Sequence, residues 1–451
     1  RDEKVVGPGG KYLDGYSYHD FEEEARLIYE AFVDVQMEGD PVTGEPLTFP
    51  LVNYPVESES PDFWGDELWY RVMELGAEKG SPYFLNLTLD YMDPNMVTAM
   101  CCRLRVKHAG GVWMAGGMGT GSNRIVTINF PRVAIEAGGD VDLFEEILFD
   151  EVLPLVKRAL LQANRMIWRA INEWGLFPLL KLRTWDGQPY YDFWSRKLTV
   201  GTLGFNEMLQ NLGWPRGLLD PEGYKYALDL VWKIQDLLYE WSSEPYPDEW
   251  LLERARLEPL KAVLFPVAPN GGEPEVLKVE YTLEQTPAES AAHRLAKIDV
   301  KTFGFDRINV RGTPERPYYT NSTHIPVDAD VPLLRKAELE GEFHEAHNGG
   351  TIIHIWSGET GTHPEGFLKL IKAIALNTKN AYIAVSHDFS ICEAGHAFKG
   401  RAEFCPICGA RVVDYISRIT GYFYRVSRFN DGKQQEWEDR RRYLLGEEVP
   451  A

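Results

Sequence analysis

Cys392, His396, Cys405 and Cys408 stand close together near the C-terminal end of the sequence, in the runs Cys392-Glu-Ala-Gly-His396 and Cys405-Pro-Ile-Cys408-Gly409. A C-x-x-C pair followed by glycine lets two thiolates turn onto one tetrahedral metal. Cys392 lies thirteen positions before Cys405, a span suited to a second knuckle. The predicted chemistry is a structural zinc site with Cys392, Cys405 and Cys408 as ligands. The position where a second C-x-x-C would place its partner holds Gly395, so the candidate fourth ligand is His396, with water or another residue as the alternative. A thioredoxin-like redox pair would precede a helix within a βαβ unit, and the residues after Cys408 lack that pattern.

Thirteen residues past Cys408 lies Gly421, in the run Arg418-Ile-Thr-Gly421-Tyr422-Phe423. Alone, a glycine in such a tail is a turn residue. Cys101 and Cys102 are adjacent, and the ordinary role of such thiols is inert burial. The context changes both readings. R-x-x-G-Y close to the C-terminal end resembles the radical motif of glycyl radical enzymes, and a thiolate zinc site just before it is similar to that of the anaerobic ribonucleotide reductases. Met100-Cys101-Cys102-Arg103 resembles that family's thiyl segment, and the run from Gly121 to Arg132 its following strand. The runs Gly201 to Met208, Gln285 to Ser290, Tyr318 to His324 and Phe389 to Cys392 match in character and order, so the resemblance covers nearly the whole chain.

The resemblance implies an α/β fold, a ten-stranded α/β barrel threaded by a loop, with a small C-terminal zinc and glycyl radical domain. The expected division is a catalytic barrel portion over 1–387, a zinc knuckle over 388–410 and a radical loop and tail over 411–451. The family's N-terminal nucleotide-binding cone and first barrel strands are not visible, and the sequence starts at Arg1 rather than Met, so the barrel is expected to be N-terminally incomplete. The implied activity is reduction of ribonucleoside triphosphates to 2′-deoxyribonucleoside triphosphates. Gly421 would store the radical, and Cys102 would become the transient thiyl because it directly precedes Arg103, with Cys101 as the alternative. A glycine Cα radical is planar, is stabilised by the flanking amide groups, and has no side chain in the way. Asn123 and Ser122 could reach the ribose or a small reductant, or form only a polar turn.

Thr286, Ala288, Glu289 and Ser290 resemble the family's phosphate-binding turn. Thr at the N-cap, Pro at N1 and Glu at N3 also begin a helix well, and a helix N-terminus offers free N–H groups to phosphate; a well-capped helix is the plain alternative. The implied partners are a radical-SAM activase, formate or a thioredoxin-like reductant, and a second copy in a homodimer, with no iron–sulfur cluster in this chain. Two other readings are a pyruvate formate-lyase relative, which would lack the zinc cluster, and a non-enzymatic zinc-ribbon module.

Composition sets bounds. The chain has 451 residues, 44% hydrophobic and 25% charged, ordinary globular values, with a formal net charge of −21. A surface that acidic repels nucleic acid. Five cysteines are too few and too uneven for a secreted disulfide framework. No apolar run approaches the roughly 18 residues that span a bilayer. A cytoplasmic protein is expected.

These groups need a scaffold. The lead through Gly10 reads as flexible. Helices are predicted over 21–35, over 142–174 with a break near Pro154, over 218–241, and over 362–379, the last opened by a Thr362/Glu365 capping box. Strands are predicted over 83–89, 124–130, 351–356 and 382–385. Strands separated by helices argue for α/β architecture. His324, His354 and His387 follow or sit in apolar runs and read as core residues.

Overall fold

The computed structural model describes residues 4–6, 12–92, 97–100, 104–107, 121–182, 191, 193, 194, 196–251, 278–358 and 363–444. In chain order the strands are β1 (Lys4–Val6), β2 (Tyr12–Ser17), β3 (Asn53–Val56), β4 (Tyr83–Asn86), β5 (Val97–Met100), β6 (Leu104–Lys107), β7 (Ser122–Asn129), β8 (Lys197–Leu203) and β9 (Tyr281–Gln285). They continue as β10 (Arg311–Gly312), β11 (Pro317–Tyr318), β12 (Ile353–Ser357), β13 (Tyr382–His387), β14 (Phe389–Cys392), β15 (Ala397–Lys399), β16 (Val412–Arg418) and β17 (Phe423–Arg425).

β8 shows why the centre is a parallel sheet. Its sequence Lys-Leu-Thr-Val-Gly-Thr-Leu is buried throughout, as a strand covered on both faces should be. It pairs in parallel with β7 and β9. Gly350, three residues before β12, bridges in parallel to Glu284 of β9, and Gln285 N–H donates to Gly350 O at 3.0 Å. Through that link the order runs β7-β8-β9-β12-β13. β13 then pairs antiparallel with β4, and β4 parallel with β3. Five strands therefore run one way and two the other. Seven strands of the expected ten are seen in this arrangement among the described residues.

Helices cover the outer face in two groups. Helices Leu153–Asn172 and Pro221–Ser243 pack on Ile128, Leu198, Val200 and Leu283. Helices Glu67–Lys79, Leu333–Gly341 and Pro364–Asn377 pack on Val56, Phe84, Ile353, Ile355, Ile383 and Val385. Among the described residues no helix is long and apolar enough to cross a membrane.

Several elements differ from expectation. The lead is partly paired, since β1 joins β2 antiparallel. The helix over 142–174 does not break at Pro154; helix Val141–Glu146 widens into a π segment, Ile147–Val152, and resumes as Leu153–Asn172. Proline has no N–H to donate, so the chain absorbs the missing bond in one wide turn just before it. Thr362 lies outside the described residues, and the helix after it is capped at His363, with the Glu365 carboxylate accepting from Tyr70 Oη at 2.8 Å. Thr286 is not an N-cap, because helix Ala291–Phe303 starts five residues later, behind Ser290, which makes no side-chain cap bond.

One buried ionic group ties the core to a loop. Glu340 lies 2.9 Å from Lys336 Nζ and 3.2 Å from His324 Nδ1, and accepts from Ile325 N–H at 2.9 Å. Burial pushes its carboxyl up, but Lys336 and His324 more than offset this and hold it down at about 2. A depressed carboxylate stabilises the fold above its ordinary range near 4.5 and loses that contribution as pH falls toward 2. Glu340→Gln should cost about 3–5 kcal/mol at neutral pH, because Lys336 is left buried and unpaired. The gap to the parent should narrow by ~1 kcal/mol at pH 4; denaturant midpoints of both proteins measure it, and a gap that does not change refutes the assignment.

Close packing at Gly76 gives a second prediction. A Cβ there would lie 2.3 Å from Phe367 Cε1. Gly76→Ala gains about 1 kcal/mol of helix propensity, but overpacking a filled core costs about 1–3 kcal/mol. The variant should melt below the parent, and Phe367→Leu in the same chain should recover the loss.

Candidate functional site

The C-terminal residues form one antiparallel sheet in the order β15-β14-β16-β17. Two tight turns project from it. In the first, Gly395 N–H donates to Cys392 O at 2.9 Å, and Cys392 N–H to His396 O at 3.1 Å. In the second, Gly409 N–H donates to Cys405 O and Cys405 N–H to Ala410 O, both at 2.8 Å. Gly395 and Gly409 take φ of +85° and +74°, a region open to glycine without strain. Gly395 thus makes the turn that carries His396 to the metal position.

The Sγ atoms of Cys392, Cys405 and Cys408 and Nδ1 of His396 all lie within 4.8 Å of one another. Cys392 Sγ is 3.8 Å from Cys408 Sγ and 3.7 Å from His396 Nδ1. His396 Nδ1 is 3.3 Å from Cys408 Sγ and 3.8 Å from Cys405 Sγ. A tetrahedral zinc needs edges of about 3.8 Å between sulfurs and about 3.5 Å between sulfur and nitrogen. The four side chains fit a structural zinc, with His396 at the fourth vertex.

From this cluster β16 runs to a hairpin tip, where Arg418 pairs with Phe423 and Gly421 is buried. Three parts of the molecule hold the tip. The Tyr83 hydroxyl of β4 donates to the Gly421 carbonyl. The Thr420 hydroxyl donates to the Glu289 carboxylate, and Asn430 Nδ2 donates to Glu289 O at 2.8 Å. Arg440 donates to Arg418 O at 2.9 Å and Ile419 O at 3.2 Å. Arg440 belongs to a fully buried group with Glu436 and Lys433. Burial pushes Glu436 up, but its two cationic neighbours outweigh it and keep the carboxyl low.

Side chains of this sheet, with His387 of β13, grip the end of helix Glu67–Lys79. Arg418 donates to Gly80 O at 2.6 Å and Ser81 O at 2.8 Å, and Lys399 Nζ to Ala77 O at 2.6 Å. His387 Nε2–H donates to Gly76 O at 3.0 Å. Burial, aided by Lys399, pushes His387 down to about 3, so this donor is a neutral imidazole.

The other expected residues are placed as follows. Cys101 and Cys102, between the paired strands β5 and β6, lie outside the described residues. Asn123 sits at an irregularity in the β7–β8 register, which turns its side chain toward the covering helix. Its Nδ2 donates to Asn164 Oδ1 at 2.7 Å and Phe193 O at 3.2 Å, and its Oδ1 accepts from Tyr191. Its amide is engaged there between the strand and the covering helix. Ser122 is likewise spent on Arg124 O and Lys197 O. Thr286 Oγ1 meets Thr127 Oγ1 at 3.1 Å over Gly201. Ala288 is buried against Leu203 and Tyr319, and Ser290 is exposed. Glu289 is turned to Thr420. His324, His354 and His387 are buried, as core histidines should be.

Tyr83 carries no signal in the sequence that marks it for this site, and the residue types of Thr420, beside Gly421, and of Arg440 do not name their partners. Their partners are strand-crossing or more than a hundred positions away, except for those of Arg440, whose place in an Arg-rich tail is the sole hint.

A sequence profile described as anaerobic ribonucleoside-triphosphate reductase matches residues 10–254 and 275–443. The enzyme of that description from Salmonella typhimurium is 23% identical over 93% of this chain and 57% of its own length. That from Enterobacteria phage T4 is 26% identical over 35% of this chain and 26% of its own. A solved anaerobic ribonucleotide reductase superposes with a TM-score of 0.68 at 23% identity, over 97% of this chain and 62% of the other. The Thermotoga maritima enzyme with glycerol in the active site gives 0.66 at 22% identity, over 96% and 61%. The chain thus spans about three fifths of the length of the Salmonella enzyme and of the two solved chains. With the profile matching well over half of its residues, the chain belongs to the anaerobic ribonucleoside-triphosphate reductase family.

Proposed function

We propose that this chain carries the radical-storing and zinc-binding part of an enzyme that reduces ribonucleoside triphosphates to 2′-deoxyribonucleoside triphosphates, in the cytoplasm and as a homodimer. The observation that carries the proposal is the burial of Gly421 at a hairpin tip gripped from three sides. A radical kept on a backbone carbon needs exclusion from solvent and a fixed peptide plane, and this tip supplies both. Zinc at Cys392, His396, Cys405 and Cys408 would hold the far end of the hairpin. The division into 1–387, 388–410 and 411–451 follows these roles, with the last two segments sharing one sheet.

In the proposed sequence a radical-SAM activase removes one hydrogen atom from the Gly421 Cα. Cys102, or Cys101, then gives its thiol hydrogen to that carbon, and the sulfur radical takes the 3′ hydrogen of the ribose. The 2′-hydroxyl leaves with a proton as water. Formate or a thioredoxin-like protein supplies the two electrons; with formate the sum is ribonucleotide, formate and a proton going to deoxyribonucleotide, carbon dioxide and water. The crystal structure of the Thermotoga maritima enzyme in complex with dATP and CTP supports a nucleotide as ligand. Phosphates would meet Thr286, Ser290 and the backbone near Ala288. Glu289 stays on Thr420, since a carboxylate repels phosphate.

The pyruvate formate-lyase reading shares the glycine but not the metal cluster, and the four converging ligand atoms favour the reductase.

Anaerobic activation should produce a glycyl EPR doublet, and oxygen should then cut the chain at residue 421. Gly421→Ala should lose signal, cleavage and turnover together; retention of any of them refutes the storage role. Elemental analysis should find one zinc per chain. Cys405→Ser should lose the metal and the radical yield with it, whereas His396→Cys should keep both; metal-free protein with full radical yield would overturn the structural role of zinc.

A further inference from the structure

We propose that Tyr83 is a positioning residue for the radical, and that its hydroxyl sets how the unpaired electron is shared between the Cα and the carbonyl of Gly421. The inference rests on the reading of Gly421 as the storage site and adds a partner that this reading does not require.

Tyr83 opens β4, paired in parallel with β3 and antiparallel with β13, and is buried. One face of its ring stacks on Tyr382, with centroids 5.4 Å apart and planes inclined by 12°. Tyr382 is fixed in turn through its hydroxyl on Asn53 Oδ1. The Arg418 guanidinium lies 4.0 Å from the Tyr83 ring centroid, and it is itself tied to Gly80 O and Ser81 O. The phenol therefore has no free rotamer, and its oxygen meets the Gly421 carbonyl. A carbonyl can only accept, so the phenol donates.

A glycyl radical is stabilised by an amide nitrogen that pushes electrons toward the Cα and a carbonyl that withdraws them. A donor on the carbonyl oxygen lowers the energy of its π* orbital and draws spin off the carbon. It also holds the carbonyl in one plane, which the overlap requires. A cation over the ring face polarises the phenol and makes its O–H a stronger donor. The arginine of the R-x-x-G-Y motif thereby acts on the glycine through Tyr83 as well as through the backbone.

The test is a graded change of donor strength at one position in the complete, anaerobically activated enzyme. Tyr83→Phe keeps the ring and removes the donor. A ring-fluorinated tyrosine at position 83 keeps the shape and strengthens it. Collapse of the doublet in a parallel sample made with Cα-deuterated glycine assigns the signal; in the protonated proteins its splitting should rise in Tyr83→Phe and fall in the fluorinated protein. Radical yield in Tyr83→Phe should drop about fivefold, the factor one ordinary hydrogen bond is worth. Zinc content and circular dichroism should stay at parental values in both. If Tyr83 only packs, the splitting will be the same in all three proteins, which overturns the proposal while Gly421 stands. If the parent shows no glycine-derived doublet, the storage reading fails first, and with it the role of Tyr83.

Discussion

An α-helix ends with backbone carbonyls that have no partners in the helix itself. In this protein the end of helix Glu67–Lys79 is not left to water. Three side chains from the C-terminal region, His387, Lys399 and Arg418, reach the carbonyls of Gly76, Ala77, Gly80 and Ser81. Two of them are cations at the negative end of the helix dipole, where positive charge is favoured. The position of the hairpin depends on this grip, because β16 ends in Arg418 and Gly421 follows three residues later. Tyr83, two residues past the gripped segment, is thereby brought to the glycine carbonyl.

The metal cluster and the hairpin tip occupy opposite ends of the same strands. β16 has seven residues, or roughly 23 Å of extended chain. A closed tetrahedral site at one end limits the twisting and fraying of a small sheet whose buried apolar residues fall into two small clusters, Phe389, Ile391, Ile416 and Phe423, and Ile419, Val426, Phe429 and Trp437. Metal ligation and the grip on the helix together do what a larger core does elsewhere in the molecule.

What could be read from the sequence follows the range of the interactions. The zinc ligands lie within seventeen positions and announce themselves by spacing, and the strands β7, β12 and β13 by their apolar pattern. The motif around Gly421 is local and was readable through family resemblance. The start of helix Ala291–Phe303 was misplaced because Thr-Pro-Ala-Glu has the local chemistry of a helix opening, while the chain instead uses Glu289 for a tertiary contact with Thr420. The contacts of Asn123 with Asn164 and Tyr191 were not legible, because a bulge re-aims side chains and no residue type in β7 reports it. Tyr83 looked like any strand aromatic; its role depends on a partner 338 positions away.

That separation has a kinetic meaning. Two sides of the glycine pocket, residue 83 and residue 289, lie more than a hundred positions from it in sequence, and only residue 440 lies near. Closing such long loops costs entropy that grows only slowly with length, about 0.6 kcal/mol per doubling, but contacts of this kind form late and slowly. On a ribosome, Arg440 emerges after all of the described strands have been made. The pocket closes only once Arg440 has been added, so until then the glycine lacks one of the three groups that hold it.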